Sequence, residues 1–286
     1  NARSNLEADL RQGLARGEIL VHYQPVVDHD GKLVGAEALA RWRHPQRGMI
    51  SPADFIPLAE QTGLILPLGQ TVLHTACSQL AAWAQNPATA HLTLSVNVSA
   101  RQCRQAGFVA QVLGTLKDCQ ADPRQLKLEL TESLLLGDIE DTIERMEQLK
   151  KEGVGFALDD FGTGYSSLSY LKRLLLDQVK IDQSFVRDVL SDPNDAAIVR
   201  TILALAKSLD LEVVAEGVGV VVGLPALRVK GIYLGIATIA FAFIVEEVFA
   251  RWESVTGGNS GIHIKAPNLF GWELSSGEEF YFLCLV

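Results

Sequence analysis

Cysteine is scarce in this sequence and never paired. Only Cys77, Cys103, Cys119 and Cys284 occur, at spacings that suit neither a zinc knuckle nor a disulfide framework. A reducing compartment is the expectation. Basic residues are also in deficit, 25 against 34 acidic ones, giving a formal charge of −9. That balance argues against a duplex nucleic-acid binder working by counterion release, although bound cations could still hold a small anion. Repeats and low-complexity tracts are absent. The two uncharged runs near the C-terminal end, residues 217–227 and 231–245, are short. A lone membrane span needs roughly 18–20 residues, which leaves the second run ambiguous between a membrane segment and a buried helix. No basic-then-apolar leader follows the opening Asn-Ala-Arg-Ser, so the chain reads as an excised segment without a signal peptide. What is present is hydrophobe. Of 286 residues, 48% are apolar and 21% charged, enough for one large domain, or one plus a fragment, and unlike a disordered chain.

Up to about Gly217 the pattern alternates short apolar runs with longer helical ones. Strands are expected at 20–27, 33–40, 92–98, 125–130, 155–158, 178–181 and 212–215. Helices are expected at 6–16, 52–62, 67–83, 139–151 and 196–209. Strands separated by amphipathic helices predict an α/β fold, a parallel sheet covered by helices and either open or closed into a barrel. The turn Asp28-His29-Asp30-Gly31 is too short for a crossover, so the first two strands should form an antiparallel hairpin.

Polar residues fall where these strands end. Glu37, Asn97, Glu129, Asp159-Asp160, Lys180 and Glu216 each lie in or just after an apolar run. Any one of them alone reads more readily as a solvated edge or a helix cap, and Lys180 alone as a salt bridge to Asp182 or a neighbour. Six strands carrying such a residue point to a shared site, because catalytic side chains collect at the carboxyl ends of parallel strands. Oxygen ligands without histidine or cysteine suit a hard cation, Mg²⁺, Mn²⁺ or Ca²⁺, rather than zinc. The adjacent acids Asp159 and Asp160 repel unless cations sit beside them. A two-metal cluster of the kind used in phosphodiester hydrolysis resolves that repulsion.

These residues occur within Tyr23-Gln24-Pro25, Glu37-Ala38-Leu39, Asn97-Val98-Ser99, Glu129-Leu130-Thr131-Glu132-Ser133, Asp159-Asp160-Phe161-Gly162-Thr163-Gly164, Lys180-Ile181-Asp182 and Ala215-Glu216-Gly217-Val218. In this order they resemble the EAL family of cyclic di-GMP phosphodiesterases from about residue 6 to 218. The resemblance implies a TIM-like barrel with an antiparallel first strand pair and hydrolysis of cyclic di-GMP to linear pGpG. It implies that Glu37, Asn97, Glu129 and Asp159 hold one Mg²⁺ or Mn²⁺, and that Asp159, Asp160 and Glu216 hold a second. Lys180 would assist the attacking water and Glu132 would order the loop carrying Asp159 and Asp160. Gln24, Leu39 and Arg41 would contact the dinucleotide. The implied partners are an upstream GGDEF or sensory domain, reached through the leading helix, and a second EAL domain in a homodimer. The expected location is cytoplasmic.

The family pattern then stops. Gly219 stands where a further acid is expected, and no Gln-Gly-Tyr segment follows. The expected domain therefore covers 1–218 and lacks its native eighth strand, unless residues 218–222 pair in its place. Residues 219–286 instead resemble an internal piece of a branched-chain amino-acid ABC transporter permease, in Leu227-Arg228-Val229-Lys230-Gly231 and Val255-Thr256-Gly257-Gly258. That implies a chimeric tail and membrane association through it. Two alternatives to hydrolysis remain: a cyclic di-GMP-binding module with little turnover, and a permease fragment.

Overall fold

A computed structural model describes residues 2–28, 31–132, 134, 139–162, 171–189 and 191–217, with two dipeptide strands further on. Expectations for residues 219–286, and for strand pairing at 218–222, lie outside the described residues. The elements are α1 (Ala2–Arg16), β1 (Ile19–Val27), β2 (Leu33–His44), β3 (Gly48–Ile50), α2 (Pro52–Thr62), α3 (Ile65–Ala84) and β4 (Thr93–Val98). Then follow α4 (Ala100–Cys103), α5 (Phe108–Cys119), β5 (Leu126–Thr131), α6 (Ile139–Lys151), β6 (Gly155–Phe161) and β7 (Gln178–Ile181). The series continues with α7 (Gln183–Arg187), α8 (Pro193–Ser208), β8 (Glu212–Ala215) and the antiparallel pair β9 (Asn268–Leu269) and β10 (Trp272–Glu273).

The main sheet runs β1-β2-β4-β5-β6-β7-β8, with β3 added to β2. The first pair is antiparallel and every later pair on the path is parallel, so the sheet is a curled arc of the TIM-like α/β type. Among the described residues the arc does not close, since β1 and β8 are its ends. Burial follows that geometry. β7 is buried throughout, as expected for a strand covered on both faces, whereas the end strand β8 is only partly covered.

Local chemistry sets the boundaries. Asp28 closes the first hairpin by accepting from Gly31 N through its carbonyl, and from Lys32 N through Oδ1 at 2.8 Å. Gly31 takes the positive φ that this turn needs. Ser51 caps α2, Pro52 opens it, and Gly63 ends it in the left-handed region. Helix α8 starts three residues earlier than expected because Asp192 caps it and Pro193 fits its first turn. The short strand β3 and helices α4, α5 and α7 were not foreseen. Strand β2 runs past Ala40 to His44 because Trp42, Arg43 and His44 pair with β3.

The larger core lies between the arc and its helices and includes Leu94, Leu128, Phe156 and Val179. A second core holds the hairpin in place. It joins Leu10 of α1, Ile19, Trp42, Phe55, Leu64 and Leu68. Trp42 is fully buried, edge-on to Phe55 at 5.9 Å, and donates from Nε1 to Glu18 Oε2 at 3.2 Å. Asp9 on α1 lies 3.5 Å from His44 Nε2 and 3.2 Å from Arg47. The leading helix is thus packed onto the domain. No helix among the described residues is long and apolar enough to cross a membrane.

Trp42 occupies the centre of that second core, and a large buried aromatic truncated to Ala costs about 3–5 kcal/mol. Trp42→Ala should lower unfolding free energy by that amount in urea titrations. Met49→Ala, at an exposed position, should stay within about 0.5 kcal/mol of the parent.

Candidate active site

Parallel pairing puts the strand-end residues at neighbouring heights around the arc. Asn97 is registered with Glu129, Thr131 with Asp159, and Glu216 donates its backbone N–H to Ile181 O at 3.0 Å. On β2, Glu37 faces Gln24 of β1 across the hairpin. The result is a single cluster built around Lys180, whose Nζ is 2.6 Å from Glu216 Oε1, 2.8 Å from Glu129 Oε2, 3.0 Å from Glu37 Oε2 and 3.1 Å from Asp159 Oδ1. Asn97 Nδ2 donates to Glu37 Oε1 at 2.6 Å. The plain pairing of Lys180 with Asp182 is not what forms. Asp182 instead caps α7 by accepting from Ser184 N at 2.9 Å, and it also bonds Asp160.

One ammonium facing four carboxylates leaves the cluster short of positive charge. Burial, then the Glu37 and Asp159 charges, push Glu129 up to about 8 against the opposing pull of Lys180. Glu216 rises to about 7, from burial and then Asp159 and Glu37, again opposed by Lys180. Burial alone would deprotonate Lys180, yet the surrounding carboxylates outweigh it and hold its pKa above the ordinary lysine value. Asp160 rises to about 6 through burial, the neighbouring Asp159 charge and its contact with Asp182. Its φ of 54° lies in the left-handed region, an uncommon place for a non-glycine residue and one that marks functional turns.

Carboxylates whose proton affinity is raised this way have spare capacity for cations. Oxygens of Glu37, Glu129 and Asp159 lie within 4.8 Å of one another, and so do those of Asp159, Asp160 and Glu216. Asp159 belongs to both groups, as a bridging ligand would. The donors are hard oxygens throughout, which suits a divalent ion of the magnesium class. Once Nδ2 of Asn97 is engaged, its carbonyl oxygen is the donor left for such an ion.

The remaining expected residues surround this cluster. Glu132 Oε1 accepts from Gly162 N at 3.0 Å, tying the end of β5 to the turn after Asp160. Its other oxygen is buried and has no hydrogen-bond partner among the described residues. Alternation along β2 sets Leu39 and Arg41 on the same face as Glu37. Gln24 is exposed opposite Glu37, and Arg41 Nη1 donates to Ala40 O at 2.9 Å.

The EAL domain family model matches residues 7–232. The chain belongs to the EAL domain family. MucR of Pseudomonas aeruginosa, a bifunctional diguanylate cyclase/cyclic di-GMP phosphodiesterase, is 47% identical over 221 residues, 76% of this chain and 32% of MucR. PdeR of Escherichia coli K12, a cyclic di-GMP phosphodiesterase, is 40% identical over 213 residues, 74% of this chain and 32% of PdeR. The solved PaMucR phosphodiesterase in complex with c-di-GMP matches with a TM-score of 0.71 at 46% identity, covering 74% of this chain and 85% of that one. The chain spans about a third of the length of these two curated relatives.

Within the EAL fold two residues near the site went unassigned in the sequence. Asp182 was read only as a partner for Lys180, whereas it holds Asp160. His22 carried a usable signal, since it stands two positions before Gln24 on the same strand and so shares its face.

The raised carboxylates make a sign prediction. A group whose folded pKa exceeds its unfolded value adds stability at low pH that is lost as pH rises through the folded pKa. In chelator, the melting temperature should therefore fall from the ordinary glutamate range up to about pH 8, through Glu216 and then Glu129. Glu129→Gln should flatten the upper part of that slope. A melting temperature that rises over the same window would contradict the assignment.

Proposed function

We propose that this EAL domain hydrolyses cyclic di-GMP to linear pGpG, using two divalent cations. The observation that supports it most is the cluster of four carboxylates on Lys180 with Asp160 beside it, an excess of negative charge that two Mg²⁺ or Mn²⁺ ions would offset. In this reading Glu37, Asn97, Glu129 and Asp159 hold one ion, and Asp159, Asp160 and Glu216 hold the other. Bound there, the ions would supply Lewis acidity and charge neutralisation at the scissile phosphate. Lys180, set among these carboxylates, assists the attacking water. Water adds to phosphorus, the bond from phosphorus to the 3′ oxygen breaks, that oxygen leaves as a 3′ hydroxyl carrying the proton that water gives up, and the phosphate stays on the 5′ end of the linear product. Glu132 fixes the turn that presents Asp159 and Asp160. Gln24, Leu39 and Arg41 hold the dinucleotide, the Arg41 guanidinium suiting a phosphate through its fork of donors.

The names of MucR and PdeR support this substrate, and the bifunctional name of MucR supports a parent protein with a synthase partner upstream. A cytoplasmic location follows from the proposed nucleotide substrate. A second reading, a binding module with little turnover, is favoured by Gly219 standing where the family carries an acid.

The purified chain should form pGpG from cyclic di-GMP with Mg²⁺ or Mn²⁺ and lose that activity in chelator. Glu37→Ala and Asp159→Ala should each cut the rate about a hundredfold or more, by removing electrostatic stabilisation of the transition state. Lys180→Ala should lower kcat far more than it raises KM. Tight binding without pGpG selects the binding module instead.

A further inference from the structure

The inner face of the β1–β2 hairpin differs chemically from the rest of the site. Across β4 to β8 the site is lined by acids around Lys180. On the hairpin, above Gln24 and Glu37, the register sets His22 beside Leu39 and then Leu20 beside Arg41. Cross-strand partners share a face, and Glu37 reaches Lys180 from that face, so His22, Leu39 and Arg41 line the same side. Arg43 continues the alternation. His22 thus stands about 7 Å above Gln24 along the strand. It is partly exposed rather than buried in a core. On the opposite face Tyr23 packs against Trp83 at 5.9 Å, so the outward side of β1 is already committed to the helices.

We propose that His22 is a further ligand-contact residue, donating an N–H to an acceptor oxygen on the half of the bound cyclic dinucleotide that is not being cleaved. This rests on the cyclic di-GMP reading above. A dinucleotide ring seated with one phosphate over the acidic floor must carry its second phosphate away from those acids. On that side the hairpin carries two guanidinium groups, Arg41 and Arg43, with the imidazole of His22 on the same face. Burial, then Arg41 and Arg43, hold the His22 pKa below the ordinary histidine value. The proximity of both arginines is independent support for the face assigned from register. An imidazole N–H supplies one directed hydrogen bond beside the two guanidinium groups.

The test uses the full chain, with calorimetry and steady-state kinetics on cyclic di-GMP in Mg²⁺. His22→Ala should raise KM and Kd about tenfold or more, the effect of a lost hydrogen bond to a charged group, with kcat within about twofold. His22→Gln, which keeps a donor at the reach of Nε2, should recover most of the affinity. If His22→Ala melts early, His22→Leu keeps the bulk and carries the same readout. Unchanged KM and Kd in a folded variant, or a loss confined to kcat, would overturn the role of His22. A parent chain that neither binds nor hydrolyses cyclic di-GMP overturns the functional reading itself, which is a separate result.

Discussion

The ammonium of Lys180 lies within 3.1 Å of four carboxylates contributed from four different places in the chain, and neither side of that arrangement is stable without the other. A lysine this deeply buried would shed its proton in apolar surroundings, and acids packed this closely would take protons up. Each suppresses the other's neutralisation, but the match is incomplete because the acids outnumber the cation. Burying charge is costly, and breaking one partner of such a set is more costly still. Burial first, and then the neighbouring carboxylate charges, shift Glu129 and Glu216 upward. Electrostatic strain of this sign is what a divalent ion relieves, so folding and cation affinity draw on the same excess of negative charge.

The rest of the fold serves to hold that cluster. Parallel pairing from β2 to β8 sets the heights of Asn97, Glu129, Asp159 and Lys180, and the continuous apolar runs flanking them are buried under the helices. The hairpin is held by a different set of contacts. Trp42 alternates with Arg41, so the residue that anchors β2 in the second core sets its neighbour on the face shared with Glu37. Helix α1 packs into that same core through Leu10, which joins the position of the leading helix to the posture of the hairpin. A parent protein that moves α1 would be acting on the Gln24 and Arg41 side, away from the acids.

Much of this was legible without coordinates. The apolar runs ending in Glu37, Asn97, Glu129, Asp159 and Lys180 located both the strands and the site, since a charge at the end of a buried strand needs a partner. Strands in the first part fell within a few residues of expectation. Where boundaries slipped, capping was the reason, as with Asp192 and Pro193 at the start of α8. Helix α5 escaped notice because Gly114 and Thr115 interrupt its apolar pattern, although its buried stripe of Phe108, Val112 and Leu116 keeps helical spacing. The pairing of Asp160 with Asp182 was hidden for a different reason. Two acids are not expected to seek each other, and only the turn at Asp160, with its positive φ, brings them together.

Periodicity determined the fold class and the ordered motifs carried the resemblance to the family, because both are local properties of the chain. Which acids share Lys180 and which one belongs to both groups were decided by tertiary structure alone. Those facts depend on register passed from strand to strand around the arc, which brings together residues as distant as Glu37 and Lys180, 143 positions apart. A shift of one residue in any pairing would turn the same side chains to the opposite face. Nothing in the linear order carries that register, which comes from packing the helices and the two cores around the arc.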